Sequence, residues 1–126
     1  MTSEEIIPKY VFYEEISISE EMRKMLTTTE IPIFAARTIR DYAIFTDKRI
    51  LVVDKQGILG KKIEYFTIPY KSIVCYAIET AGSFDLDSEI KLHLSGGIEI
   101  ELEFLKKKGN ESLLFKAYET ISRFIL

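Results

Sequence analysis

The alternation of apolar and polar positions is most regular in residues 90–104, where isoleucine and leucine alternate with charged and polar residues. A period of two is typical of a strand with one buried face. A two-residue loop would set Leu94 against Glu99 and mix the faces. A three-residue loop at Ser95–Gly97 sets Leu94 opposite Ile98 instead. The pattern therefore predicts a hairpin with a three-residue loop and a glycine in the left-handed region.

The segments before and after Asp47-Lys48 predict a second hairpin, but its apolar residues fall on both faces. A turn at these two residues sets Ile44 opposite Leu51 on one face. The same turn sets Phe45 opposite Ile50 on the other face. Only one face can point into the core of the domain. The other must be covered by a helix, by another part of the chain or by a partner.

Further strands and two helices are predicted on either side of these hairpins. Apolar runs rich in β-branched and aromatic residues predict strands at residues 30–37, 61–69 and 73–80. Residues 11–18 could form a strand or an extended arm. Ser19 can cap a short helix of about two turns, and an amphipathic helix should run from Asn110 to about Phe124. The predicted fold is mainly β: a short helix, then seven antiparallel strands in a partly open barrel, capped by the C-terminal helix.

Length and charge limit the classes of protein that the chain can belong to. Its 126 residues are the size of one domain, which we divide into an arm with the short helix (residues 1–29) and the barrel (residues 30–126). The net charge of −3 disfavours a nucleic-acid partner. No apolar run approaches the ~20 residues of a membrane span, and the first ten residues do not resemble an export signal. We therefore expect a cytoplasmic protein.

Residues that could carry chemistry are scarce. His93 falls on the predicted outer face of a strand, where a cross-strand surface pair is the expected role. Cys75 lies in an apolar strand and is expected to be a small buried residue. Asp85, Asp87 and Glu89 have the spacing of the first ligands of a calcium loop, but the glycine and the distal glutamate of such a loop are missing. The sequence predicts no catalytic, cofactor or metal site, and so no enzyme.

A long segment of the chain resembles a known family. It reads F-T-D-K-R-I-L-V-V-D-K-Q-G-I-L-G-K-K-I-E-Y-F-T-I-P-Y-K-S-I from Phe45, followed by I-E-T-A-G-S-F-D-L-D-S-E-I-K-L from Ile78. This segment is similar to the bacterial pleckstrin-homology (PH) domain family, once catalogued as a domain of unknown function. The resemblance is close over about Arg37 to Gly97. It implies a seven-stranded bent barrel capped by a C-terminal helix, and a binding or scaffolding role in which some members form ring-shaped homo-oligomers.

The surplus apolar positions predict a surface for self-association. The apolar pair Ile58-Leu59, in a loop flanked by glycines, adds to the two-faced hairpin. The candidate interface residues are Tyr42, Ile44, Phe45, Ile50, Val52, Ile58 and Leu59. The expected partners are further copies of this chain, in a homo-oligomer such as a ring, and another protein.

Basic residues near the first inter-strand turn support an alternative function. Lipid-binding PH domains of eukaryotes use basic residues around this turn to bind inositol phosphates. The candidate anion contacts here are Arg37, Arg40, Lys48 and Arg49. They predict a module that binds an anionic lipid or a phosphate.

Overall fold

The computed structural model describes residues 7–56, 61–80, 87–105 and 110–126. Eight strands and two α-helices lie in these ranges. They are β1 (Lys9–Ile16), α1 (Glu20–Lys24), β2 (Pro32–Thr38), β3 (Tyr42–Thr46), β4 (Arg49–Gln56), β5 (Lys62–Pro69), β6 (Ile73–Glu79), β7 (Ser88–Leu94), β8 (Ile98–Phe104) and α2 (Asn110–Ile125). A short 3₁₀ turn at Tyr70–Ser72 joins β5 to β6.

The strands form one sheet in the order β5-β4-β3-β2-β1-β8-β7-β6. The described ranges hold eight strands and not the seven predicted, because the N-terminal segment that the sequence left open is a strand at the centre of the sheet. β1 pairs antiparallel with β2 and parallel with β8, and so joins the two halves of the sheet. In the described part of the chain, β5 and β6 each pair on one side only. The sheet is therefore open between them, and the mainly β, PH-like fold is confirmed.

Both hairpin registers predicted from the sequence are confirmed. In the β3–β4 hairpin, Ile44 lies opposite Leu51 and Phe45 lies opposite Ile50. In the β7–β8 hairpin, Leu94 pairs with Ile98 across the three-residue loop. Gly96 and Gly97 in that loop have φ angles of 84° and 79°. Glycine has no Cβ and adopts this left-handed conformation at little cost.

The main core lies between the curved sheet and α2. Both halves of the sheet contribute to it, as does the apolar stripe of the helix. Its largest members include Phe12, Phe34, Phe45, Ile50, Val52, Ile68, Ile90, Leu92, Ile100, Leu102, Leu113 and Ile121. Two aromatic side chains of α2, Tyr118 and Phe115, lie at or beyond the border of this core and are exposed.

A second, smaller apolar cluster lies on the opposite face of the β2–β4 strands. It joins Met22 of α1 to Ala35, Ile44 and Leu51, and the flanking Met25 packs against it. The helix begins as predicted, because the Ser19 side chain accepts a hydrogen bond of 3.1 Å from the Met22 amide. This cap fixes where the helix starts and so places Met22 over the sheet.

Cys75 was predicted to be buried but is exposed, because it lies on the outer face of β6, at the border of the described sheet. Neither of the two described helices is long and apolar enough to cross a membrane.

Candidate functional site

The second apolar face of the β3–β4 hairpin is covered by the chain itself. The sequence left open whether a helix, another part of the chain or a partner covers this face. In the structure, α1 and its flanking residues cover it. Four of the candidate interface residues, Ile44, Phe45, Ile50 and Val52, are fully buried within one chain, and Tyr42 is half-buried. The hairpin is therefore not the exposed apolar surface that the sequence suggested. The other two candidates, Ile58 and Leu59, lie outside the described residues.

A buried ion pair holds this cover in place. The Arg49 guanidinium donates from Nε and Nη2 to the two oxygens of the Glu30 carboxylate, at 2.8 and 3.0 Å. Thr46 Oγ1 donates to the same carboxylate at 2.7 Å, and the Thr27 amide donates at 3.1 Å. The Glu30 side chain is only 1% exposed. These bonds tie the segment after α1 to the β3–β4 hairpin.

The charge state of Glu30 follows from these contacts. Burial by itself raises the pKa of the Glu30 carboxyl. The hydrogen bonds from Arg49, Thr46 and the Thr27 amide outweigh burial and hold the pKa below its usual value of 4.5. Glu30 is therefore ionised at neutral pH, as a bidentate pair with arginine requires.

The four candidate anion contacts do not converge on one site. Arg37 Nε donates to Glu14 at 3.1 Å, and Arg40 Nη1 donates to the Lys55 carbonyl at 2.8 Å. Both arginines flank the turn between β2 and β3. Lys48 and Arg49 lie at the other end of β3, and Arg49 is occupied by the Glu30 carboxylate. The anion contacts predicted from the sequence thus divide into two separate groups.

The β2–β3 turn carries an exposed apolar residue that the sequence analysis did not single out. Ile39 is 64% exposed and stands between Thr38 and Arg40. The bond from Arg40 to Lys55 joins this turn to the end of β4. Lys62 pairs with Gln56 at the same end of β4, so β4 and β5 each bring a lysine to the side of the sheet where this turn lies. The position of an isoleucine between two arginines in a predicted turn was a usable signal.

The two border strands of the described sheet also carry exposed apolar side chains. Tyr65 on β5 is 55% exposed and Val74 on β6 is 68% exposed. A bulge at Val74 interrupts the pairing of β6 with β7. Cys75 and Ala77 continue the exposed side of β6. These strands have backbone donors and acceptors along a side with no paired strand in the described ranges.

A cavity of about 440 Å³ lies where the β3–β4 turn, the 3₁₀ turn and the end of α2 meet. Its lining residues are Thr27, Glu30, Asp47, Lys48, Arg49, Thr67, Pro69, Tyr70, Lys71 and Phe124. Tyr70 is 1% exposed, and its ring lies parallel to that of Phe124 with centroids 6.2 Å apart. The sequence offered no sign of this cavity, because its walls come from four separate parts of the chain.

The predicted acidic group, Asp85, Asp87 and Glu89, lies only partly within the described residues. Asp85 lies outside the described residues. Glu89 lies opposite Glu79 across the β6–β7 pair. Burial, with the neighbouring Glu101, raises the pKa of the Glu89 carboxyl. In the described ranges, no three His, Cys, Asp or Glu side chains are grouped to hold a metal ion.

Comparison with known proteins agrees with this architecture. The chain is 51% identical over 99 residues to the uncharacterized protein YjqA of Bacillus subtilis (strain 168), covering 77% of each chain. A crystal structure of a DUF1696 family protein with a pleckstrin-homology domain from Shewanella loihica PV-4 superposes with a TM-score of 0.74. That protein is 38% identical, and the match covers 90% of this chain and 97% of the other.

A second solved structure and a family model extend the match. The pleckstrin homology domain from Shewanella amazonensis SB2B is 42% identical, with a TM-score of 0.61, over 84% of this chain and 83% of that one. The family model described as bacterial PH domain matches residues 2–125. That range includes β1 and α1 as well as the segment that carried the sequence resemblance. With its PH-like sheet and its capping helix α2, the chain belongs to the bacterial PH domain family.

Proposed function

We propose that this protein is a non-enzymatic interaction module that self-associates into a homo-oligomer through β5 and β6, the two border strands of the described sheet. In this arrangement, β5 of one copy pairs with β6 of the next. The supporting observation is the exposure of Tyr65 and Val74 on strands whose far sides are unpaired in the described sheet. An exposed apolar border strand is a ready template for another chain. The proposal thus moves the interface away from the buried β3–β4 hairpin.

The geometry of such an assembly follows from the difference between its two surfaces. β5 and β6 are different strands, so a contact between them is head-to-tail and not two-fold symmetric. Contacts of this kind close into a ring when the rotation between copies allows it, and otherwise extend into a filament. We therefore expect an assembly of more than two copies, which is a ring if the rotation between copies closes it.

Light scattering coupled to size exclusion, over a dilution series, tests this proposal. The double variant Tyr65→Lys/Val74→Lys places a charge at each border, and we expect its mass to fall to that of one chain. Ile39→Lys is the matched control, because Ile39 is equally exposed but lies on the β2–β3 turn. We expect this control to keep the mass of the unmodified protein. A single-chain mass for the unmodified protein at every concentration contradicts the proposal.

Binding to an anionic lipid surface is a second candidate function, and the β2–β3 turn favours it. Ile39 is exposed on the turn, Arg40 follows it and is bonded to the Lys55 carbonyl, and Lys62 lies on β5 opposite the end of β4. An apolar residue that enters the headgroup region beside basic residues is a common mode of peripheral membrane binding. This candidate keeps Arg37 and Arg40 of the predicted set and leaves out Lys48 and Arg49.

Co-sedimentation with vesicles separates the two candidates. We expect the protein to sediment with phosphatidylglycerol vesicles at low salt and to be released as salt rises, because exposed charges are screened. Ile39→Asp/Arg40→Glu should abolish sedimentation. Lys48→Glu, at the other end of β3, should leave it unchanged. Equal binding to vesicles of phosphatidylcholine alone, or no binding to either, would rule out the lipid function and leave the oligomer proposal standing.

A further inference from the structure

The cavity beside Tyr70 has the size and the mixed lining of a small-molecule site. Its volume of about 440 Å³ lies within the range of ~300–1,000 Å³ typical of ligand pockets. Pro69 and the rings of Tyr70 and Phe124 supply an apolar wall. The hydrogen bond of 3.1 Å from the Tyr70 amide to the Lys48 carbonyl holds the 3₁₀ turn against the β3–β4 turn. The site is thus built on hydrogen-bonded backbone.

The buried ion pair beside the cavity has little hydrogen-bonding capacity left. Both oxygens of the Glu30 carboxylate accept bonds, from Arg49, Thr46 and the Thr27 amide. The remaining guanidinium nitrogen of Arg49, Nη1, donates to Thr67 Oγ1 at 2.8 Å. These two charged side chains neutralise each other and are unavailable to a ligand.

The polar groups of the lining that stay available are mainly donors. The Tyr70 hydroxyl is buried and has no hydrogen-bond partner within the described ranges. Burial, reinforced by Asp47 and Glu30, raises the pKa of this hydroxyl, which therefore stays protonated. Lys71 has no ion-pair partner among the described side chains. The Lys48 ammonium lies 3.9 Å from Asp47 Oδ2, beyond hydrogen-bond distance.

Asp47 does not reverse this balance. Its Oδ1 accepts a bond of 2.8 Å from the Ile31 amide, which leaves only Oδ2 toward Lys48. With Glu30 and Arg49 paired, the remaining formal charges of the lining are two lysines and one aspartate. A ligand that supplies acceptors and negative charge fits this set, and its apolar part fits the wall of Pro69 and Phe124.

We propose that this cavity binds a small organic oxyanion, a carboxylate or phosphate carried on a flat apolar body. The oxyanion lies between Lys48 and Lys71 at the rim, and the apolar body lies against Phe124 and Pro69. The site lies at the opposite end of β3 from the β2–β3 turn and is separate from the candidate lipid surface. It adjoins the β5 border of the proposed oligomer, because Thr67 and Pro69 belong to β5.

Titration with three benzene derivatives tests the charge and the location together. The probes are benzoate, phenyl phosphate and benzylamine, and the readout is the amide chemical shifts of the ¹⁵N-labelled full chain. We expect saturable shifts at Lys48, Tyr70 and Lys71 with at least one of the two anions, and none with the cation. The stronger anion identifies whether the natural group is a carboxylate or a phosphate.

A matched pair of variants makes the test decisive. Lys48→Glu/Lys71→Glu should weaken anion binding about tenfold or more, because two charge-assisted contacts are lost. Lys91→Glu/Lys116→Glu makes the same change in net charge on β7 and α2, away from the cavity lining, and should bind as the unmodified protein does. Saturation by neither anion, equal binding of benzylamine, or unchanged affinity in the first variant would overturn the proposal.

Discussion

The β7–β8 hairpin and the β3–β4 hairpin differ in how many of their faces are buried. In β7–β8, the inner face packs under α2, while Lys91, His93, Glu99 and Glu101 form an outer polar face. In β3–β4, the inner face packs in the main core and the outer face packs under α1. The β7–β8 hairpin needs no second cover, because only one of its faces is apolar. The β3–β4 hairpin has two apolar faces, and its outer face needs a cover from elsewhere in the chain.

This difference explains the position of the buried ion pair. The outer polar face of β7–β8 is solvated, and its ion pairs lie at the surface. The cover over β3–β4 depends on a short helix, and helices of this length are not stable by themselves. Glu30 and Arg49, 19 residues apart, fasten the end of this cover to the hairpin. A two-faced strand pair thus depends on a long-range polar contact that a one-faced pair does not need.

The largest effect is expected from breaking this contact. Arg49→Met leaves the Glu30 carboxylate buried without its partner and should lower the free energy of unfolding by about 3–5 kcal/mol, measured by urea denaturation. Lys9→Met is the control from the other half of the sheet. Its surface pair with Glu103, at 3.2 Å, should contribute less than about 1 kcal/mol. Equal losses in the two variants would show that Glu30 is not buried in solution.

A smaller loss of stability is expected from shortening a side chain of α1, the helix that covers the outer face of β3–β4. Met22→Ala removes the most buried side chain of α1 and should cost about 2 kcal/mol, at the low end for this substitution because a short helix can shift to fill the space. Leu92→Ala in the main core cannot relax in this way and should cost about 4 kcal/mol. Thermal or urea unfolding of both variants checks the ranking. If Met22→Ala lost as much stability as Leu92→Ala, the packing of α1 would be as rigid as that of the main core.

The pH dependence of stability should reveal the Glu30 contact that holds the cover of the β3–β4 hairpin. The folded pKa of Glu30 lies below its value in the unfolded chain, so its pairing stabilises the fold above the ordinary carboxyl pKa. That contribution should be lost as the pH falls through the lower, folded pKa. The slope of the unfolding free energy in acid should therefore be smaller in Glu30→Gln than in the unmodified protein. Identical slopes would contradict the assignment.

The smallest effect concerns the cavity that lies beside the β3–β4 turn. Tyr70→Phe removes a buried hydroxyl without a partner in the described residues, so stability should stay unchanged or rise by up to about 1 kcal/mol. Differential scanning calorimetry measures this change in stability. A fall in stability would indicate that the hydroxyl is hydrogen-bonded within the protein.

Sequence patterns predicted the hairpin registers because a period of two fixes which residues share a face. Ile44 opposite Leu51 and Leu94 opposite Ile98 follow from loop length and polarity alone. The start of α1 at Ser19 and of α2 at Asn110 follows from local signals. The status of residues 11–18 did not follow, since a central strand that pairs parallel on one side leaves no adjacent turn to identify it.

The candidate site was predicted less well, for a physical reason. The apolar excess of the β3–β4 hairpin was recognised, but Ile44 and Leu51 carry no sign of whether α1 or a second chain covers them. The exposure of Cys75 depends on β6 lying at the border of the described sheet. Neither property is local to the residues concerned.

By itself, the sequence determined the periodicities, the turns, the helix starts and the family, because these depend on residues near one another in the chain. Only the tertiary structure decided that α1 covers the outer face of β3–β4 and that Glu30 meets Arg49. It also brought Lys48, Tyr70, Lys71 and Phe124 around one cavity. Such contacts form between residues far apart in sequence, and their geometry depends on how the whole sheet curves. For the β3–β4 hairpin, the sequence predicted two apolar faces, and the tertiary structure decided what covers the outer face.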